Sequence, residues 1–247
     1  DKNNKVIILV HGATFGSLAY EEYVNVFIKN NYRVITYDQY GRGYSDRINS
    51  NVSIELMERQ LKELIEHCKV EDVILYGVSF GAAVVAKYSA NNPENISFIG
   101  YQVPLINSEN IPLLSIVKIP LYGDLLIRGF LVPGVLKRIE EYEDLMSKKL
   151  LDHYIGQFNV KGTEKFFKKF FLGNATGNRL EDHSIIGNKS IPSYFAYAED
   201  DTEIDSKLVE ETIKKYQSPI VKKYSGGHFF ASGIEREVAQ EFIDSIK

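Results

Sequence analysis

Short apolar runs typical of buried strands alternate with helical patterns along most of the chain. The strand-like runs lie at residues 5–10, 32–38, 72–77, 96–102, 192–198 and 220–225. Among the helical patterns, those at 17–31, 53–68 and 235–247 are the clearest. Strands separated by helices are typical of a mostly parallel sheet with helices on both faces. We therefore predict an α/β fold of this architecture.

The regular alternation stops between about residues 104 and 180. This segment holds apolar pieces interrupted by glycine and proline, followed by the sequence EKFFKKFF at 164–171. On a helix, Phe166 and Phe170 would share a face that needs a partner to bury it. We predict a core formed by 1–103 and 181–247, with 104–180 as an inserted helical cap. We expect the cap to close over the mouth of a pocket, with these phenylalanines lining it or supporting it from behind.

Composition excludes several classes of protein. The 247 residues carry a net charge of −4 and 44% apolar residues, which suits one large globular domain. A nucleic-acid-binding protein normally has a basic face, so nucleic acid is not an expected partner.

No uncharged apolar run approaches the 18 residues of a membrane span. The chain opens with DKNN and shows no signal peptide, which favours a cytoplasmic location. The sequence does not indicate an oligomeric state.

A serine lies between two glycines where a strand pattern changes to a helix pattern. The stretch GVSFG places Ser79 between Gly77 and Gly81. Glycine permits both a close approach of strand to helix and a strained turn. The pattern G-x-S-x-G in this context predicts a nucleophile elbow that holds the Ser79 hydroxyl at the end of the sheet.

A serine nucleophile needs a base, and the base needs an orienting acid. Asp201 follows the fifth strand in the sequence AEDDTEID, and His228 follows the sixth strand and two glycines. We predict that Ser79, Asp201 and His228 form a catalytic triad. The alternatives for the acid are Asp200 foremost, then Glu199 and Asp205. His11, after the first strand, is expected to be structural.

The loop after the first strand, in the sequence HGATFGS, offers backbone N–H groups beside the nucleophile. Acyl transfer builds negative charge on an oxygen that such donors stabilise. We predict an oxyanion hole formed by the N–H groups of Phe80 and Ala13, with Thr14 as the alternative to Ala13.

Taken together, these sequence segments resemble those of the α/β-hydrolase superfamily, in its capped single-domain serine hydrolase branch. The resemblance rests on HGATFGS, YDQYGRGYSDR at 37–47, GVSFG, AEDDTEID and SGGH, which follow one another in the family's order. It implies a turn shaped by Asp38, Gly41, Gly43 and Ser45. The family usually has a further pair of strands upstream, which this sequence does not contain.

The triad and the apolar cap predict a carboxylesterase or monoacylglycerol-lipase-like enzyme that cleaves an ester of an apolar acid through an acyl-enzyme. No metal or organic cofactor is expected, and the partner is a small ester. A thioesterase, a carbon–carbon bond hydrolase, a perhydrolase and an aminopeptidase would use the same triad. A catalytically silent ligand-binding or interaction module is the alternative outside enzymes.

Overall fold

The computed structural model describes residues 5–108, 119, 121–141 and 147–246. Its strands are β1 (Val6–Val10), β2 (Arg33–Thr36), β3 (Val73–Val78), β4 (Ile96–Gln102), β5 (Ser193–Ala198) and β6 (Ile220–Tyr224). They form one parallel sheet in the order β2-β1-β3-β4-β5-β6. The predicted mostly parallel sheet is thus confirmed, and each predicted strand is present.

Burial along the strands follows their place in the sheet. Every residue of β1, β3 and β5 is buried, whereas β2 and β6 at the two edges are partly exposed. Central parallel strands are covered on both faces, which explains why they are continuous apolar runs. The strand order reverses between β1 and β3, because the chain first moves to β2 and then returns to the other side of β1. Ligands of such sheets bind at the carboxyl ends of the strands beside this reversal.

The helices cover both faces of the sheet. Their bounds are α1 (Glu21–Lys29), α2 (Ile54–Cys68), α3 (Phe80–Asn91), α4 (Tyr122–Leu126), α5 (Val132–Glu141), α6 (Lys148–Phe158), α7 (Thr163–Leu172), α8 (Leu180–Asn188), α9 (Ser206–Ile213) and α10 (Glu235–Ile246). Residues of α2, α3 and α8 fill the core on one face. Residues of α1, α9 and α10 fill the other. Ser53 caps α2 by accepting the Leu56 N–H at 3.3 Å.

The predicted insertion of helices between two strands is confirmed, since α4 to α8 lie between β4 and β5. A π-helical turn, Ile127–Leu131, joins α4 to α5. The division into a core and a cap at 104–180 stays a prediction. Parts of that segment, at 109–118, 120 and 142–146, lie outside the described residues. In the ranges that are described, no helix is both long and apolar enough to cross a membrane.

Because two histidines are buried, we predict that the free energy of unfolding falls at mildly acidic pH. Burial lowers the pKa of His11 to about 4 and that of His183 to about 3, from 6.5. As the pH falls below about 6.5, the unfolded chain therefore binds protons that the folded chain does not. Between pH 7 and pH 5 we expect each histidine to lower the free energy of unfolding by about 2 kcal/mol.

Urea denaturation at the two pH values measures this effect. His183→Gln should lose about half of the pH dependence, whereas the matched change at the exposed His67 should leave it intact. Equal pH dependence in both variants would contradict the assignment.

Candidate active site

Ser79 stands in a strained turn between β3 and α3. Its φ of 52° and ψ of −117° are unusual for a residue with a side chain. The Ser79 N–H donates to the Gln102 carbonyl at 2.9 Å, which ties the turn to the end of β4. A Cβ on Gly81 would collide with the Val10 carbonyl oxygen, so this position needs glycine. The predicted strained turn between strand and helix is therefore present, and strain of this kind is typical of functional sites.

The side chains of Ser79, His228 and Asp201 form a continuous hydrogen-bonded chain. His228 Nε2 lies 3.0 Å from Ser79 Oγ, and His228 Nδ1 lies 2.8 Å from Asp201 Oδ2. The other carboxylate oxygen, Oδ1, accepts the backbone N–H groups of Glu203 at 2.7 Å and Ile204 at 3.2 Å. Asp201 is buried. This arrangement places the proton on Nδ1 and leaves Nε2 free to accept the serine proton.

The other acids near the fifth strand have different roles. The Asp200 carboxylate accepts the N–H groups of Gly226 at 3.1 Å and Gly227 at 3.0 Å. These backbone hydrogen bonds lower the pKa of Asp200 and fix the loop that carries His228. Glu199 pairs with Lys223 at 2.8 Å, and Asp205 caps α9. Of the four candidates, Asp201 is the one that contacts the imidazole.

The buried His11 fixes the peptide that precedes Ala13. His11 Nδ1 lies 2.8 Å from the Gly12 carbonyl oxygen, and His11 Nε2 accepts the Gln39 N–H at 2.8 Å. Because the Gly12 carbonyl and the Ala13 N–H belong to one rigid peptide, this contact orients the Ala13 N–H. Phe80, the second predicted donor, is the first residue of α3, where N–H groups have no partner within the helix. The oxyanion role of both groups stays a prediction.

Arg42 lies behind the same loop and is a residue that the sequence analysis missed. Its Nε donates to the Ala13 carbonyl, and the side chain is buried. The guanidinium lies 4.8 Å from the ring centre of Phe166, 4.7 Å from that of Phe167 and 4.9 Å from that of Phe170. Such contacts favour a desolvated cation, although burial lowers the pKa of Arg42 to about 9. The aromatic face of α7 therefore supports the loop from behind.

We expect Arg42→Lys to lower kcat by about tenfold with little change in KM. A lysine keeps the charge, but it cannot lie flat between the three rings while donating along the direction of Nε. The Ala13 carbonyl shares its peptide with the Thr14 N–H, the alternative oxyanion donor, so this part of the loop then loses its fixed orientation. A lost buried hydrogen bond of this kind costs about 1–3 kcal/mol. Steady-state kinetics on a short ester measures the two parameters. A change in KM alone would contradict the assignment.

The turn that carries Arg42 is the sequence piece D-x-x-G-x-G-x-S. Asp38 accepts the N–H groups of Ser17 at 2.7 Å and Tyr44 at 2.9 Å. The Ser45 hydroxyl donates to the Asp38 carbonyl at 2.5 Å. Gly41 and Gly43 both have positive φ. These contacts agree with the predicted role of the turn in shaping the structure.

A cavity of about 180 Å³ opens at Ser79 and His228. Aromatic side chains form part of its walls, among them Tyr20, Tyr23 and Phe229. From the inserted segment, α6 contributes Leu150 and Tyr154. The phenylalanines of α7 do not line it and pack behind it, against Arg42 and Phe80. Of the two positions expected for the α7 stripe, the structure therefore shows the supporting one.

Within the ranges that the structure describes, no group of three or more His, Cys, Asp or Glu side chains could hold a metal ion.

Comparison with known proteins gives sequence matches to part of the chain. A family model described as serine aminopeptidase, S33, matches residues 1–119, a range that includes Ser79 and ends before Asp201 and His228. A putative non-heme chloroperoxidase from Synechocystis is 32% identical over 33% of this chain and 30% of its own length. The AB hydrolase superfamily protein YisY from Bacillus subtilis is 30% identical over 36% of this chain and 34% of its own length. The matched segment is thus about a third of each relative.

Solved structures match over nearly the whole chain. A bromoperoxidase from Bacillus anthracis has a TM-score of 0.82 at 17% identity, and the match covers 99% of this chain and 92% of that one. An esterase from Exiguobacterium antarcticum has a TM-score of 0.78 at 14% identity, over 98% and 92% of the two chains. At this identity the likeness establishes the fold. The chain therefore has the α/β-hydrolase fold.

Proposed function

We propose that the protein is a serine hydrolase that cleaves carboxylic esters with a short, largely apolar acyl group. The observation that carries the proposal is the hydrogen-bonded chain from Asp201 through His228 to Ser79. A silent binding module would have no need of a strained serine aligned with a base and a buried acid. The cavity beside Ser79, with Phe15, Tyr20 and Tyr154 in its walls, supplies the place for the acyl group.

The reaction proceeds in two halves. Ser79 Oγ attacks the ester carbonyl while His228 Nε2 takes the hydroxyl proton, and the oxygen that becomes negative lies toward the N–H groups of Ala13 and Phe80. The tetrahedral intermediate collapses when His228 gives the proton to the leaving alcohol, which leaves an acyl-enzyme. Water, deprotonated by His228, then cleaves the acyl-enzyme, and Ser79 recovers its proton. Asp201 stays ionised and stabilises the imidazolium in both halves.

The cavity volume supports short acyl groups. A cavity of about 150 Å³ in another protein holds one benzene molecule, and the cavity here is about 180 Å³. Acetyl to pentanoyl groups fit this space, whereas a long fatty acyl chain needs a further channel. The size therefore favours esterase over lipase activity.

Perhydrolysis is a second candidate, favoured by the names of the chloroperoxidase and bromoperoxidase relatives. Hydrogen peroxide would replace water as the second nucleophile and release a peracid from the same acyl-enzyme. Two haloalkane dehalogenases share the fold. An aspartate is their nucleophile by the family resemblance, and Ser79 in that position argues against this chemistry.

A substrate panel tests the proposal. The purified protein should hydrolyse p-nitrophenyl acetate and butyrate faster than the octanoate. It should act more slowly on butyryl thioesters and on alanine p-nitroanilide, an aminopeptidase substrate. Bromination of monochlorodimedone in the presence of acetate, hydrogen peroxide and bromide measures peracid formation, because the peracid oxidises the bromide. Preference for the anilide or the thioester would assign one of the alternative reactions instead.

Tyr154 offers a test of the acyl pocket. Its ring stacks on Phe15 at 4.1 Å and lines the cavity from α6. Tyr154→Ala enlarges this wall, so we expect the octanoate-to-acetate ratio of kcat/KM to rise at least about fivefold, since added methylene contacts are worth about 1 kcal/mol. Phe158→Ala, on the same helix but outside the cavity lining, is the control. An equal loss on both esters would show that α6 is only a cover.

A further inference from the structure

Gln102 is a buried polar residue at the cavity that the triad chemistry does not use. It ends β4, its carbonyl holds the Ser79 N–H, and it is only 6% exposed. It lines the cavity beside Ser79. A buried amide beside a nucleophile in a pocket with aromatic walls on several sides is a candidate for substrate recognition.

Two tyrosines fix the orientation of the amide. The hydroxyl groups of Tyr23 and Tyr76 both donate to Gln102 Oε1, at 2.8 and 2.7 Å. Burial raises the pKa of both tyrosines well above the ordinary value, so each hydroxyl keeps its proton to donate. If the amide were turned around, two buried hydroxyl protons would lose their acceptor. The oxygen therefore faces the tyrosines.

The amide nitrogen is left for a ligand. Gln102 Nε2 donates to none of the described residues, and it is not among the fully buried atoms without a partner, so it retains accessible surface. Because Gln102 lines the cavity, that surface faces the cavity. The next residue, Val103, has a φ of 40°, which is rare for a β-branched side chain. Strain of this type persists where the surrounding structure fixes a site.

We propose that Gln102 Nε2 donates a hydrogen bond to an oxygen atom in the acyl group of the substrate, so that the preferred acids are short and carry an ether, keto or hydroxyl oxygen. This inference rests on the proposed ester chemistry and narrows its substrate class.

The acyl part is chosen over the alcohol for a physical reason. The leaving alcohol must depart before water enters, so its side of the site opens to solvent. The acyl group stays bound to Ser79, and Gln102 lines the same cavity, hydrogen-bonded to the fully buried Tyr76.

The charges around the cavity favour a neutral oxygen over a carboxylate. Glu203 and Glu235 are the charged side chains of the described lining, which includes no lysine or arginine. A free carboxylate on the acyl group of the substrate would be repelled by these two acids, whereas a neutral oxygen acceptor would not.

Matched pairs of p-nitrophenyl esters test the proposal. Butyrate is paired with methoxyacetate, and pentanoate with 3-methoxypropanoate, so that in each pair oxygen replaces one methylene group. The ratio of kcat/KM within a pair is compared between wild type and two variants, which cancels the intrinsic reactivity of each ester. Gln102→Glu keeps the acceptor for both tyrosines and removes the donor, and Gln102→Leu removes both.

In at least one pair, both variants should lower the ratio of kcat/KM for the oxygen-containing ester to kcat/KM for the plain ester by about tenfold. A loss of this size is expected when one buried hydrogen bond to the substrate is removed. Activity on the plain butyrate should fall much less. Unchanged ratios in both pairs would overturn the inference. So would an oxygen preference that appears only when the oxygen is moved to the alcohol part.

A binding measurement covers the case in which the variants do not fold. Calorimetry on the wild-type protein should show methoxyacetamide binding at least about threefold more tightly than butyramide. Equal affinity, or tighter binding of butyramide, would overturn the inference. Binding does not need turnover, so this result is separate from the ester chemistry, which fails if Ser79→Ala leaves ester hydrolysis unchanged.

Discussion

Replacing Ser79 with alanine should lower the turnover of p-nitrophenyl butyrate by at least about 1000-fold, because no other described group stands beside His228 Nε2 to form the acyl-enzyme. Alanine keeps the Cβ and therefore the backbone strain of the elbow, so the fold should be unchanged. Steady-state kinetics measures the turnover, and a thermal melt shows whether the fold is unchanged.

Ser89 provides the matched control for this variant. It lies on α3, and its hydroxyl is buried without a partner. Ser89→Ala should leave turnover unchanged and should not destabilise the protein, since it removes an unsatisfied buried group. Turnover that survives in Ser79→Ala would remove the proposed nucleophile, whatever the control shows.

Asparagine at position 201 should lower kcat by at least about 100-fold, since the orienting carboxylate of the imidazole is lost and the wrong tautomer is favoured. The same change at position 200 should lower it only a few-fold. Asp200 does not touch the imidazole and holds the Gly226 and Gly227 N–H groups, and an asparagine oxygen still accepts one of them.

These adjacent residues form an internal comparison, because the two variants differ by one position and share the same chemistry. The ranking of the two kcat values is the measurement. If Asp200→Asn were the more damaging change, the acid of the triad would be assigned to the wrong side chain.

The elements of the fold were accessible to sequence reasoning because each depends on local pattern. The fully buried strands β1, β3 and β5 appear as continuous apolar runs, and Ser53 marks the start of α2. The three residues of the proposed triad could be expected to meet because they follow three parallel strands, whose carboxyl ends lie at one edge of the sheet. The choice between Asp201 and Asp200 depends on a turn geometry that the pattern did not give with certainty.

Contacts between distant segments could not be predicted in this way. Arg42 and the Ala13 carbonyl are brought together by a glycine-rich turn, with three rings from α7 behind them. Gln102 meets Tyr23 and Tyr76 through pairing of strands and packing of α1. Neither residue belongs to a motif with a fixed spacing, and nothing in the local sequence distinguishes them from other polar residues. Their roles follow only from the three-dimensional arrangement.

The central claim is that Ser79 is an activated nucleophile, and a fluorophosphonate probe tests it most directly. The folded protein is incubated with the probe and digested, and the modified residue is located by mass spectrometry. The account predicts one phosphonyl group on Ser79, with labelling abolished by Ser79→Ala and strongly slowed by His228→Ala. A folded protein that stays unlabelled, or that is labelled at a residue other than Ser79, would contradict it.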